Sequence, residues 1–146
     1  MKNKKLISSG HNACAGCGQL SAVQSVMRAL GDDVIIANAT GCLEVTTTPY
    51  PQSAWGVAWI HSLFENPAAV ATGISAALKK EKNKNTKIVV MAGDGGTFDI
   101  GMGLISGMWE RKENIIYICY DTESYSNTGY QASGATPYGA NTSTSP

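Results

Sequence analysis

A chain of 146 residues, 43% of them hydrophobic, has enough apolar content for one core and the usual length of a single domain. Its 11 basic and 11 acidic residues cancel to a formal charge of zero, which suggests no polyanion-binding surface and argues against nucleic acid as a partner. No stretch approaches the roughly 20 apolar residues of a membrane span, and the basic start MKNKKLISSG lacks the apolar run of a secretory signal, so the expectation is a cytoplasmic protein without membrane contact.

The first predicted element runs from Gln19 to Leu30, where Leu20, Val23, Met27 and Leu30 recur at three- and four-residue steps, the spacing of one buried helix face. A short strand, Val34–Asn38, follows. Residues 39–62 hold prolines, glycines, threonines and two tryptophans without a sustained period, and read as a long loop that must pack on something. Asn66 and Pro67 then supply an N-cap and a first-turn proline for a helix that reaches about Lys80.

KKEKNKNTK reads as a solvated turn. KIVVMAGD is a buried strand ending at Gly93, GMGLISGMWERK a helix and NIIYICYD a further buried strand. Met27, Met91, Met102, Met108 and Trp109 read as core residues. Alternation of strands and helices predicts an α/β fold with an open, mostly parallel sheet and helices on both faces. The tail from Gly129 has few large apolar residues; by composition it is either disordered or a loop leading into further structure.

Four cysteines in a reducing compartment point to metal binding or catalysis before disulfides. Cys119 lies inside the apolar run IIYICY and reads as a packed strand residue, which leaves Cys14, Cys17 and Cys42. A C-x₂-C pair with a distant third cysteine suits an iron–sulfur cluster, and equally suits half of a zinc site, although no second pair completes one.

Gly93, Asp94, Gly95 and Gly96 sit where an open α/β sheet places its ligands, at the carboxyl end of a strand and before a helix. Glycines admit close approach of backbone N–H groups to a phosphate, and the Asp94 carboxylate is a hard oxygen ligand suited to Mg²⁺. The next strand ends at Asp121, with Thr122 placed 28 residues after Asp94, so two strand ends can offer oxygens to one divalent ion carrying a diphosphate.

GHNACAGCG, ATGCLEV, AWIHSLFENPAAVATG, GDGGTFDIG and YDTESYSNTG occur in an order that resembles the thiamine diphosphate-binding beta subunit of the 2-oxoacid:ferredoxin oxidoreductases, pyruvate:ferredoxin oxidoreductase above all. The resemblance implies a single thiamine diphosphate-binding domain over residues 1–146, with an iron–sulfur cysteine segment at 1–45 and a chain cut short at its C-terminus. It makes Cys14, Cys17 and Cys42 ligands of a 4Fe–4S cluster whose fourth cysteine lies beyond residue 146. Asp94, Thr122 and the Ser124 carbonyl become ligands of Mg²⁺, and Asn127 a catalytic residue that hydrogen-bonds the 2-oxo acid at the cofactor.

The implied reaction is oxidative decarboxylation of a 2-oxo acid, pyruvate first, to acyl-CoA and CO₂, with electrons leaving through the cluster to ferredoxin. The implied partners are alpha-, gamma- and delta-type chains of the same complex, ferredoxin and coenzyme A, and another chain or domain supplies the carboxylate that activates the aminopyrimidine. Branched-chain, aryl or oxalate substrates, a non-redox thiamine diphosphate-dependent decarboxylase or synthase, and a zinc-stabilised scaffold remain as alternatives. Gln19 stands where family members have Glu, and reads either as a surface helix start or as a functional amide. His61 and Glu65 read as a cofactor edge or, equally, as a core histidine and an N-terminal helix carboxylate.

Overall fold

The computed structural model describes residues 5–145, so the basic residues 2 and 4 and the terminal Pro146 lie outside the described part. Helix α1 (Gly18–Leu30) buries Leu20, Val23 and Met27, the face marked by the periodicity. Strands β1 (Val34–Ala39), β2 (Ala58–Ser62), β3 (Lys87–Gly93) and β4 (Ile116–Tyr120) form one parallel sheet in the order β2-β1-β3-β4. Helices α2 (Cys42–Thr47), α3 (Pro67–Lys80) and α4 (Met102–Glu110) complete the set.

Because side chains alternate along a strand, the two faces of the sheet bury different residues. Val34, Ile36, Val89 and Met91 pack against α1 and Leu43, whereas Ala37, Ile88 and Val90 pack against Ala71 of α3. A third cluster joins Ala68 of α3 to Ile105 and Met108 of α4. Helices thus cover both faces, as expected for parallel strands.

The stretch 39–62 is not a plain loop, since it contains α2 and the edge strand β2. Helix α2 has only six residues and β2 pairs on one side only, so neither produces a lasting period. The loop between them packs on the N-terminal segment, where Ser8 and Gly56 donate backbone hydrogen bonds to Ala54 and Leu6.

Asn66 occupies the N-cap position of α3 but makes no capping bond; its Oδ1 accepts from Ser62 Oγ instead. The helix predicted from Gly101 begins one turn earlier as a five-residue π-turn, Gly95–Asp99, before α4. Met102 and Trp109 face outward there and are not core, unlike Met27, Met91 and Met108. Among the described residues no helix is long and apolar enough to cross a membrane.

Glu113, directly after α4, ties that helix to α3: its Oε2 accepts from Ser75 Oγ at 2.9 Å and Lys79 Nζ at 3.0 Å. The Lys79 hydrogen bond, helped by Ser75 and Arg111, holds the Glu113 carboxyl below its ordinary value of 4.5. A carboxyl lowered on folding stabilises above its unfolded pKa, and the contribution is lost as pH falls through the folded one. Lys79 is largely exposed, which screens the pair, so Glu113→Gln should cost about 1 kcal/mol at pH 7. In urea unfolding the gap between variant and parent should shrink below pH 4.5; a gap independent of pH would contradict this.

Candidate cofactor site

β1, β3 and β4 all deliver their carboxyl ends to one place. In a sheet ordered 2-1-3-4 the connections leave on opposite sides of β1 and β3, and this switch point opens a crevice for ligands. A cavity of about 150 Å³ lies there, walled by Thr40, Gly41 and Cys42 after β1, Gly93 to Gly95 after β3, and Thr122, Ser124 and Asn127 after β4.

Asp94 is buried, and its carboxylate organises this wall. Thr122 Oγ1 stands 3.2 Å from Asp94 Oδ1 and 3.1 Å from the Ser124 carbonyl oxygen, with one proton to give to either. Ser126 Oγ donates to Thr122 Oγ1 at 2.7 Å. Mg²⁺ takes octahedral oxygen ligands at 2.0–2.1 Å, for which adjacent ligand atoms are ~3.0 Å apart. One anionic and two neutral oxygens at this spacing fit that ion.

The glycines of GDGG serve close packing. A Cβ on Gly95 would run into the Tyr125 ring, and one on Gly96 would sit 3.1 Å from the Phe64 ring and 3.2 Å from its carbonyl. The π-turn that follows points Asp99 back across the site, where Oδ2 accepts from Tyr125 OH at 2.6 Å and Oδ1 from Gly134 N at 2.9 Å. Burial, reinforced by that hydrogen bond to Asp99, pushes the Tyr125 hydroxyl up to about 12, so it stays a donor at ordinary pH.

Cys17 caps α1, its Sγ accepting from Leu20 N at 3.4 Å, and Cys42 opens α2 in the cavity wall. Burial pushes the Cys42 thiol up, and Cys17 and Cys14 push it further. Among the described residues no three His, Cys, Asp or Glu side chains converge as on a single ion, so the thiols are not drawn up like zinc ligands. A 4Fe–4S cluster takes its thiolates at separate corners and so does not need them drawn together on one ion.

Cys119 is half-buried in β4, in a groove against α4 on the far side of that strand from the site. Gln19, the second residue of α1, lines the cavity, and its Nε2 is buried with no hydrogen-bond partner. Tyr120 OH is likewise buried in the wall, within the influence of the Asn38 side chain.

His61 is no core histidine. It sits on the exposed edge strand, with Nε2 2.8 Å from Thr40 Oγ1 and Nδ1 3.9 Å from Glu44 Oε1. Glu65 precedes the N-cap of α3 and so lies outside its first turn. Sequence reasoning missed Tyr125, Asp99, Phe64 and Ser133, and only the double glycine after Asp94 hinted that a ring presses on that loop.

Residues 39–146 match the family model of the thiamine pyrophosphate enzymes, C-terminal TPP binding domain. Pyruvate synthase subunit PorB of Methanothermobacter thermautotrophicus is 52% identical over 143 residues, covering 98% of this chain and 50% of that protein. Ketoisovalerate oxidoreductase subunit VorB of Pyrococcus furiosus is 44% identical, covering 94% of this chain and 46% of that one. The chain therefore spans about half the length of the curated relatives it matches.

Among solved structures, the 2-oxoglutarate:ferredoxin oxidoreductase from Magnetococcus marinus, with 2-oxoglutarate, coenzyme A and succinyl-CoA bound, superposes with a TM-score of 0.70 at 29% identity. That match covers 91% of this chain and 46% of that one. The crevice at the ends of β1, β3 and β4 and the family match over residues 39–146 agree, and this chain belongs to the thiamine pyrophosphate enzymes by their C-terminal TPP-binding domain.

Proposed function

We propose that the chain is the thiamine diphosphate-binding part of a 2-oxoacid:ferredoxin oxidoreductase that decarboxylates pyruvate oxidatively to acetyl-CoA and CO₂. One observation carries this: Cys42, which follows Cys14 and Cys17 in the chain, stands in the same cavity wall as Asp94, Thr122 and Ser124. A non-redox thiamine diphosphate enzyme has no use for three neighbouring thiols beside its cofactor. The likeness to subunits named for pyruvate synthase supports pyruvate over branched-chain, aryl and oxalate acids.

Asp94, Thr122 and the Ser124 carbonyl would hold Mg²⁺, and Gly95 and Gly96 let this loop close against Tyr125 and Phe64. Thiamine diphosphate bound there supplies the electron-sink chemistry by which a 2-oxo acid loses CO₂. Asn127, in the wall, would donate its amide N–H to the substrate oxygens, while Phe64 and Tyr120 narrow the cavity against water. Cys14, Cys17 and Cys42 would hold three corners of a 4Fe–4S cluster that supplies one-electron transfer toward ferredoxin. The packing of Cys17 and α1 into the core with β1 and β3 supports a single domain that includes the cysteine segment.

The activating carboxylate and the coenzyme A site are assigned to other parts of a multi-subunit assembly, of alpha, gamma and delta type. The test uses that assembly purified without oxygen: reduction of ferredoxin on a panel of 2-oxo acids, with and without coenzyme A. Reduction with pyruvate that requires coenzyme A is expected. No reduction by any acid, in a preparation holding intact clusters and thiamine diphosphate, would remove the redox assignment.

A further inference from the structure

The segment after Gly129 is neither free nor featureless. Tyr125 N donates to Gln131 O at 2.9 Å, Gly134 N to Asp99 Oδ1 at 2.9 Å, and Thr136 Oγ1 to Glu123 O at 2.6 Å. These bonds return the chain across the diphosphate loops as a strap. At its centre Ser133 is held from both sides: its N–H donates to Thr136 Oγ1 at 2.9 Å and its Oγ accepts from Ala135 N at 3.2 Å. The Oγ proton is then free to go in one direction only, to Asp94 Oδ2 at 2.5 Å.

The two carboxylate oxygens of Asp94 therefore have separate duties. Oδ1 faces Thr122 and the metal-sized oxygen set, and Oδ2 is taken by Ser133. We infer that Ser133 is a positioning residue: its hydroxyl, fixed by the strap, holds the Asp94 carboxylate in the rotation that presents Oδ1 to the divalent cation of the diphosphate site.

The inference rests on the reading of Asp94 as the metal carboxylate. A donor on the non-coordinating oxygen limits rotation of the ligand without competing for the ion, and such outer partners typically matter by 10–100-fold in metal affinity. Asp94 is buried, so water is poorly placed to replace the lost hydroxyl. Backbone bonds at Tyr125 and Gly134 keep the strap in place when the Ser133 side chain alone is cut back.

The test titrates Mn²⁺ into the assembled enzyme, stripped of divalent ions and supplied with thiamine diphosphate, and reads free Mn²⁺ by its electron paramagnetic resonance signal. Ser133→Ala is expected to weaken Mn²⁺ binding about tenfold, and Ser133→Thr, which keeps the hydroxyl, to restore it to near the parent value. Unchanged binding in Ser133→Ala would overturn the proposal, as would equal loss in Ser133→Thr and Ser133→Ala, which would assign the effect to the fold of the strap. Asp94→Ala run alongside separates the two levels. If it too binds Mn²⁺ normally, the metal reading itself fails and the role of Ser133 falls with it.

Discussion

Asp94→Ala should leave the assembled enzyme without bound thiamine diphosphate while its iron content holds. Asp94 is the carboxylate of the oxygen set, buried at the end of β3, with Thr122 and Ser124 contributing only neutral oxygens. Two neutral donors do not replace an anionic ligand on a doubly charged ion that binds a diphosphate. The loss should be at least about a hundredfold in cofactor affinity, since disturbing an outer-shell partner alone costs 10–100-fold.

The same substitution removes the acceptor for Ser133, so Asp94→Asn is the informative companion, keeping a hydrogen-bonding side chain and losing the charge. Both variants should lose the cofactor, as measured by thiamine diphosphate released per protein after desalting. Retention at normal affinity in either would sink the assignment of Asp94 to the metal.

Cys14→Ser should have the opposite pattern. Cys14 lies ahead of α1, whereas the oxygen set of Asp94, Thr122 and Ser124 lies beyond the ends of β3 and β4. A serine hydroxyl is a hard, weakly acidic donor and a poor substitute for a soft thiolate on iron. Iron and acid-labile sulfide should fall, and ferredoxin reduction with them, while thiamine diphosphate binding stays near the parent value. Loss of cofactor with full iron would contradict this division between the cysteine segment and the strand ends.

The sequence alone was sufficient for the elements that repeat. Three-and-four spacing marked the buried face of α1, Asn66-Pro67 marked the start of α3, and the apolar runs marked β3 and β4. Each is a local pattern in which neighbouring residues share one environment, so it survives without knowledge of the fold. The candidate metal oxygens were legible for a related reason: a parallel sheet brings the ends of adjacent strands together, so a motif at each end predicts one site.

Other features came only with the tertiary structure. β2 was invisible because an edge strand paired on one side, exposed at three of its five positions, has no face to mark. The side chain of Asn66 looked like a cap until Ser62 came within its reach. Met102 and Trp109 looked like core until the π-turn set the phase of α4 and left them outside.

The strap is the plainest case. Ser133 meets Asp94 across 39 residues and Tyr125 meets Asp99 across 26, through single hydrogen bonds that impose no period on the chain between. By composition that segment has too few large apolar residues to bury, and burial is what a sequence pattern reports. What the sequence determined about this protein is where apolar surface repeats and where strand ends carry candidate ligand oxygens. What only the tertiary structure decided is which distant polar groups close on them, because a directional bond between two residues depends on the path of the whole backbone.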